Sequence, residues 1–191
     1  MTNVEILNNS IFTPIIDKIK ELAKQENAIF AIDGGSASGK TTLAMALCEE
    51  YNLTVFHMDD FFLPRNEQKN DTFGNIDFAR LKKEVLDPLS AGKEVSYRRF
   101  DCQSQALCEQ VTVKPSALAI IEGAYSMHPS ISGYFDSSAL LIIDSKKQRE
   151  RIEKRNTPMQ AQRFFDTWIP KENEYFEKTD IKDRCEIIIN I

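Results

Sequence analysis

The chain has 191 residues, a net charge of −5, 42% hydrophobic residues and 28% charged ones. That size and balance suit one globular domain with an ample core and exclude a disordered chain. The acidic balance argues against a general nucleic-acid binder, and no apolar stretch reaches the length of a membrane helix, so neither nucleic acid nor membrane is expected as a partner.

The first ten residues lack the charged start and apolar core of a signal peptide, so a cytoplasmic location is expected. Cys48, Cys102, Cys108 and Cys185 form no C-x-x-C pair, and free thiols in a reducing compartment are the reading they support.

Residues 13–26 place Ile15, Ile16, Ile19, Leu22 and Ala23 on one side, with Pro14 in the first turn. This predicts an amphipathic helix and an N-terminal helical segment over 1–26. Residues 28–32 are an apolar run of strand length. Gly34-Gly35-Ser36-Ala37-Ser38-Gly39-Lys40-Thr41 follows and fits G-x-x-x-x-G-K-[ST] without substitution. In that pattern backbone N–H groups converge on the phosphates of a nucleotide. Lys40 reaches the β and γ phosphates, and the Thr41 hydroxyl ligates magnesium. Leu43, Leu47 and Tyr51 then recur every fourth residue, as one face of a helix does, and the helix's positive N-terminal end adds to the site. Strand, glycine loop and helix are the context the motif requires.

A second strand is predicted over 53–57 and a helix capped by Asp77 over 77–86. Residues 95–100 and 110–114 read as short strands that pair as a hairpin, an insertion spanning 91–115. Residues 118–121 and 140–143 are continuous apolar runs, the mark of strands buried on both faces of a parallel sheet. Helices are predicted over 146–154 and 170–177, and a last strand over 186–191. The expected fold is α/β, a three-layer P-loop NTPase-type arrangement. It has five parallel strands, helices on both faces and a small β-hairpin insertion, in one domain over 1–191.

In such folds chemistry sits beyond the carboxyl ends of the strands. Asp59-Asp60-Phe61-Phe62 follows the second strand, and a carboxylate there can accept the proton of an attacking hydroxyl or merely cap the turn. Glu122 ends the strand from Leu118, where an acid can orient a metal. Lys147, Arg151, Lys154 and Arg155 share one helical face. Their charges can cover a transferring phosphoryl group, or form a solvated face paired with Glu150 and Glu153. Tyr97-Arg98-Arg99-Phe100-Asp101 puts arginines between aromatics on the hairpin, suited to a planar ring or to plain exposure. His57, in an apolar strand, reads as a core histidine, and Trp168 as packing for a C-terminal helix.

Together these stretches resemble the uridine kinase and phosphoribulokinase family of P-loop kinases, in particular its shorter bacterial members. The phosphate loop through Thr42, Asp59-Asp60-Phe61-Phe62, Asn75-Ile76-Asp77-Phe78-Ala79-Arg80-Leu81, Tyr97 to Asp101, Ile121-Glu122-Gly123 and the basic run to Arg155 carry the resemblance. It implies an ATP- and Mg2+-dependent kinase. Residues 34–42 bind the nucleotide, and Thr41 and Glu122 attend the metal. Asp59 and Lys40 act in catalysis with lid arginines Arg151 and Arg155, within a lid region over 146–170. Asp59, Phe62, Tyr97, Arg98 and Phe100 face a small-molecule acceptor, expected to be a nucleoside such as uridine or cytidine taken at its 5′ hydroxyl. A homo-oligomer is left open.

The chain departs from the family on the acceptor side. Asp60 and Phe62 stand where uridine kinases have Ser and Tyr. Phe78-Ala79 replaces His-Pro, and Arg98-Arg99 replaces a base-holding histidine. Other readings are a kinase of pantothenate or a ribosylated vitamin, or a nucleotide-binding regulatory ATPase. Neither the Asn-Lys-x-Asp of GTPases nor the Leu-Ser-Gly-Gly of ABC ATPases occurs.

Overall fold

A computed structural model describes residues 2–68 and 75–191. Its centre is a five-stranded parallel sheet in the order β2-β5-β1-β6-β7. The strands are β1 (Ala28–Gly34), β2 (Thr54–His57), β5 (Leu118–Glu122), β6 (Ser137–Ile142) and β7 (Ile187–Asn190). β3 (Val95–Asp101) and β4 (Ala106–Val113) form a separate antiparallel pair, the predicted hairpin with a longer second strand.

β1 is buried along its whole length, and alternate residues feed two cores. Ala28, Phe30 and Ile32 meet Ile15, Ile19, Leu43 and Leu47 from α2 (Thr13–Leu22) and α3 (Lys40–Tyr51). Ile29 and Ala31 face the opposite core, with Phe56, Phe61, Leu81, Val85, Tyr97 and Tyr175. That second layer includes α4 (Phe78–Leu81), a wide π-helical turn over Lys82–Leu86, α5 (Asp87–Ser90) and α8 (Ile169–Lys178). A strand covered on both faces reads as a continuous apolar run, which is why β1 and β5 were legible.

The remaining elements are α1 (Asn3–Leu7), α6 (Ser145–Arg155), α7 (Pro158–Arg163) and α9 (Ile181–Arg184). α7, a π turn over Phe164–Trp168 and α8 run on as one helical stretch. Only 170–177 of this stretch was expected to be helical; Pro170 sits just after the π turn, where the spacing of amide bonds is already broken. α1 falls within the helical segment expected over 1–26, which the structure divides around a 3-10 turn at Ser10–Phe12. α9 was not foreseen; at four residues it is too short to show a period. No helix among the described residues is long and apolar enough to cross a membrane.

The turn from β1 into the phosphate loop is built on Gly34. Its φ is +147°, and a Cβ would lie 2.4 Å from the Leu141 carbonyl oxygen on β6. Gly34→Ala is therefore strained twice, by conformation and by contact with backbone. It is expected to lower the unfolding free energy by roughly 2 kcal/mol or more in urea denaturation.

Candidate active site

The loop after β1 curls back on itself with Ala37 and Gly39 both at positive φ. Such reversals turn successive N–H groups toward a common concave point, which attracts anions. Lys40, the first residue of α3, is buried and its Nζ donates to the Gly35 carbonyl at 3.0 Å. Arg151 Nη1 donates to the Ala37 carbonyl at 2.9 Å and to that of Ser38 at 3.3 Å.

Thr41 and Glu122 meet as expected. The Thr41 hydroxyl donates to the Glu122 carboxylate, 3.0 and 3.2 Å from its two oxygens. β5 is the immediate neighbour of β1, so an acid at its end necessarily stands beside the loop. A hydroxyl and a carboxylate are hard oxygen donors, and the set fits Mg2+. His57, at the end of β2, holds the same carboxylate: its Nδ1 is 2.5 Å from Glu122 Oε1. That bond raises the His57 pKa above its ordinary value.

Of the two aspartates after β2, the structure separates the roles. Asp59 lines a cleft of about 320 Å3 together with Lys40, Thr41, Glu122 and the loop. Its side chain opens to the cleft, yet the enclosing walls strip enough hydration to raise its pKa; the Glu122 charge pushes the same way, and Lys40 and His57 oppose it. Asp60 turns toward the hairpin instead. Tyr97 Oη is 3.4 Å and Arg99 Nε 3.6 Å from its Oδ2.

The hairpin residues named from the sequence do not reach the cleft. Tyr97 is a core residue, stacked on Phe61 at 5.7 Å and edge-on to Phe56 at 5.6 Å. Arg98 spends its guanidinium on the carbonyls of Leu107 and Cys108 across the hairpin. Phe100 is buried and pairs with Leu107. A bulge explains this: strict alternation would put Tyr97 and Phe100 on opposite faces, but the register shift between Arg98 and Phe100 turns both to the side that packs against the main domain. Cys102, just past β3, is the hairpin's contribution to the cleft wall.

The rest of the cleft wall is largely aromatic, with Phe62, expected from the sequence to face the acceptor, joined by residues that were not. Phe62, Ile76, Tyr125, Phe164 and Trp168 line it, with Phe62 and Trp168 edge-on at 5.8 Å. Phe164 and Trp168 are the first and last residues of the π turn, four apart, and both line the cleft. Arg155 lines the cleft as well, its guanidinium 5.4 Å from the Phe164 ring. Thus Arg155 stands in the cleft, while Arg151 grips the loop from outside. The groove on that outer side holds Lys147, Arg151 and Thr42 opposite Asn9, Ile11 and Phe12. A hollow of about 520 Å3 near Leu141, Phe176 and Ile181 is lined by neither Lys40, Asp59 nor Glu122.

Three further polar residues were missed. Asp33, fully buried at the end of β1, accepts from the N–H groups of Gly34 and Met127 and from the Tyr175 hydroxyl. Burial raises its pKa against those bonds. Glu172 and Gln148 bind Ser36. The available signals were a carboxylate inside an apolar strand and two polar residues, Glu172 and Tyr175, spaced to share a helix face.

The fold is shared with solved P-loop kinases. A protein described as a possible uridine kinase from Bacillus stearothermophilus superposes with a TM-score of 0.66 at 23% identity, over 93% of this chain and 100% of that one. D-glycerate 3-kinase from Cryptococcus neoformans gives 0.54 at 15% identity, over 82% of this chain and 84% of its own. In sequence, the tRNA-specific adenosine deaminase subunit tad2 of Schizosaccharomyces pombe is 28% identical over 133 residues, 66% of this chain. The match covers 33% of that protein, so the chain spans about a third of its length. No family model matches the chain.

The His57–Glu122 pair is directly measurable. A raised pKa means the folded chain favours the imidazolium; that contribution to stability is complete below about pH 6.5 and is lost as pH climbs through the raised value. NMR titration of metal-free protein should show His57 titrating above the ordinary histidine value. Glu122→Gln should return it toward that value; an unmoved titration would mean the pair does not form.

Proposed function

We propose that this protein is an ATP-dependent small-molecule kinase and that its acceptor is a neutral hydroxyl compound with a planar ring, a nucleoside taken at its 5′ hydroxyl. One observation carries the reading: Lys40, Thr41, Glu122 and Asp59 line the same cleft, opposite an aromatic wall. A nucleotide-binding switch needs the loop and a metal residue. It does not need an acid and an aromatic chamber on the far side of the transferring phosphate.

The donor's triphosphate would lie along the loop amides, with Lys40 at the β and γ phosphates. The outer groove between Thr42, Lys147 and the N-terminal Asn9, Ile11 and Phe12 would take its base and ribose. Mg2+ held by Thr41 and Glu122 would supply positive charge beside the β and γ phosphates. Asp59 accepts the proton of the acceptor hydroxyl as that oxygen attacks in line. Arg155 brings a fixed positive charge to the transferring group. Phe164 and Trp168 exclude water, which would otherwise compete as acceptor.

The cleft's charge favours an uncharged acceptor. Its described lining carries Asp59, Glu122 and Glu172 against Lys40 and Arg155. Both cations are claimed by phosphate in this reading, so a carboxylate acceptor such as glycerate would face acids with no partner. Deaminase chemistry, suggested by the name of the tRNA-modifying relative, lacks support. Zinc deaminases use H-x-E and P-C-x-x-C, and neither occurs in the sequence.

Asp59→Asn should keep ATP binding and lose transfer by a factor on the order of a hundred or more. Near-normal turnover in that variant would remove Asp59 as the base. In the unaltered protein Asp59 must be ionised to act, and its pKa is raised. Transfer should therefore fall on the acid side at a pH above the usual aspartate range. Lys40→Ala should abolish productive ATP use, measured as ADP formed.

A further inference from the structure

Behind the phosphate loop, two helices reach one residue. The Ser36 carbonyl accepts from Gln148 Nε2 at 2.8 Å. Its N–H donates to Glu172 Oε2 at 2.8 Å, and its hydroxyl donates to Glu172 Oε1 at 2.5 Å. Gln148 comes from α6 and Glu172 from α8, and both are buried. Gly35 leaves the space: a Cβ there would lie 3.1 Å from Gln148 Nε2 and 3.4 Å from Glu172 Oε2.

Ser36 stands at the end of the loop that handles the transferring phosphate, because the Lys40 ammonium rests on the Gly35 carbonyl beside it. A carboxylate is a surprising neighbour for a polyanion. It can act in two opposed ways: as a competitor that occupies an amide meant for phosphate, or as a brace that shapes the loop. The contacts favour the brace. Glu172 is attached at two points while Gln148 holds the carbonyl of the same residue. Tyr175, one turn further along α8, bonds to buried Asp33. Glu172 cannot withdraw with its helix without breaking that second buried contact.

We propose that Glu172 and Gln148 are positioning residues that fix Ser36, so that the loop amides converge before nucleotide arrives. A loop already shaped avoids ordering its backbone on binding, and the avoided cost appears as affinity. The same bonds tie α6 and α8, which flank the segment carrying Phe164 and Trp168, to the loop they cover. This inference rests on the kinase reading of the cleft, and its test is made without an acceptor.

Mg·ATP affinity is measured by titration calorimetry on the full chain, with melting temperature recorded for each variant. Glu172→Ala should weaken binding about tenfold, while Glu172→Gln should stay within about threefold. The glutamine carbonyl can take the Ser36 N–H while its amide donates to the hydroxyl. Gln148→Ala combined with Glu172→Ala should lose less than the product of the single losses, because both act through Ser36. Glu174→Gln, on the exposed side of α8, is the control and should bind as the unaltered chain does. Tighter ATP binding in both Glu172 variants would identify a competitor and overturn the proposal. Lower melting temperatures with unchanged affinity would also overturn it, leaving only a packing role. Failure of the unaltered chain to bind Mg·ATP is a separate result, which contradicts the kinase reading itself.

Discussion

A carboxylate buried at the end of β1 decides where the phosphate loop begins. Asp33 has no exposed surface, and burying it is tolerable only because three donors converge on it. Those donors come from the loop at Gly34, from the turn after β5 at Met127, and from α8 at Tyr175. One side chain thus joins the phosphate-loop motif, the segment after Glu122 and helix α8. Tyr175 is itself fully buried against Tyr125, at 4.8 Å between rings, so the joint is packed as well as bonded. Moving α8 therefore costs both a buried hydrogen bond and an aromatic contact.

Around that joint the site is crowded with acids. Asp59, Glu122 and Glu172 border the cleft, and Asp33 lies beneath it. For Asp59, Asp33 and Glu172 alike, the largest cause of the raised pKa is lost hydration, and Lys40 opposes it in each. A single lysine serving so many carboxylates describes a site that gains from added positive charge. Mg2+ beside Thr41 and Glu122 fits that need, and a negatively charged acceptor would work against it. When protonated, which its hydrogen bond to Glu122 favours, His57 brings positive charge to that carboxylate.

Much of this was legible from residue order alone. The loop motif, the apolar runs of β1 and β5, and acids at strand ends are local signals, and each landed where topology then put it. β5 lies next to β1 in space though far from it in sequence, so Thr41 and Glu122 had to meet once the sheet order was right. What failed was anything set by the direction of a side chain. Tyr97 and Phe100 looked like ligand contacts, yet β3 with its bulge between Arg98 and Phe100 turns both into the core. Arg151 looked like a lid arginine, yet it binds loop carbonyls. His57 looked like core, yet it holds the Glu122 carboxylate. Glu172 offered only its spacing with Tyr175 and Gln148 no local signal, because their role depends on a loop more than a hundred residues away. The aromatic wall was hidden for a similar reason: Phe164 and Trp168 are spaced to share a helix face, but they meet Phe62 and the phosphate loop from far away in sequence.

The central claim is that the cleft transfers phosphate from ATP to a neutral ring-bearing hydroxyl compound. The most direct measurement is ADP release from Mg·ATP with and without added acceptor. The panel should include uridine, cytidine, a ribosylated vitamin, pantothenate and D-glycerate. The account predicts release that depends on acceptor, strongest with an uncharged nucleoside and absent with D-glycerate. Release equally fast with no acceptor, or strongest with a carboxylate acceptor, would contradict it.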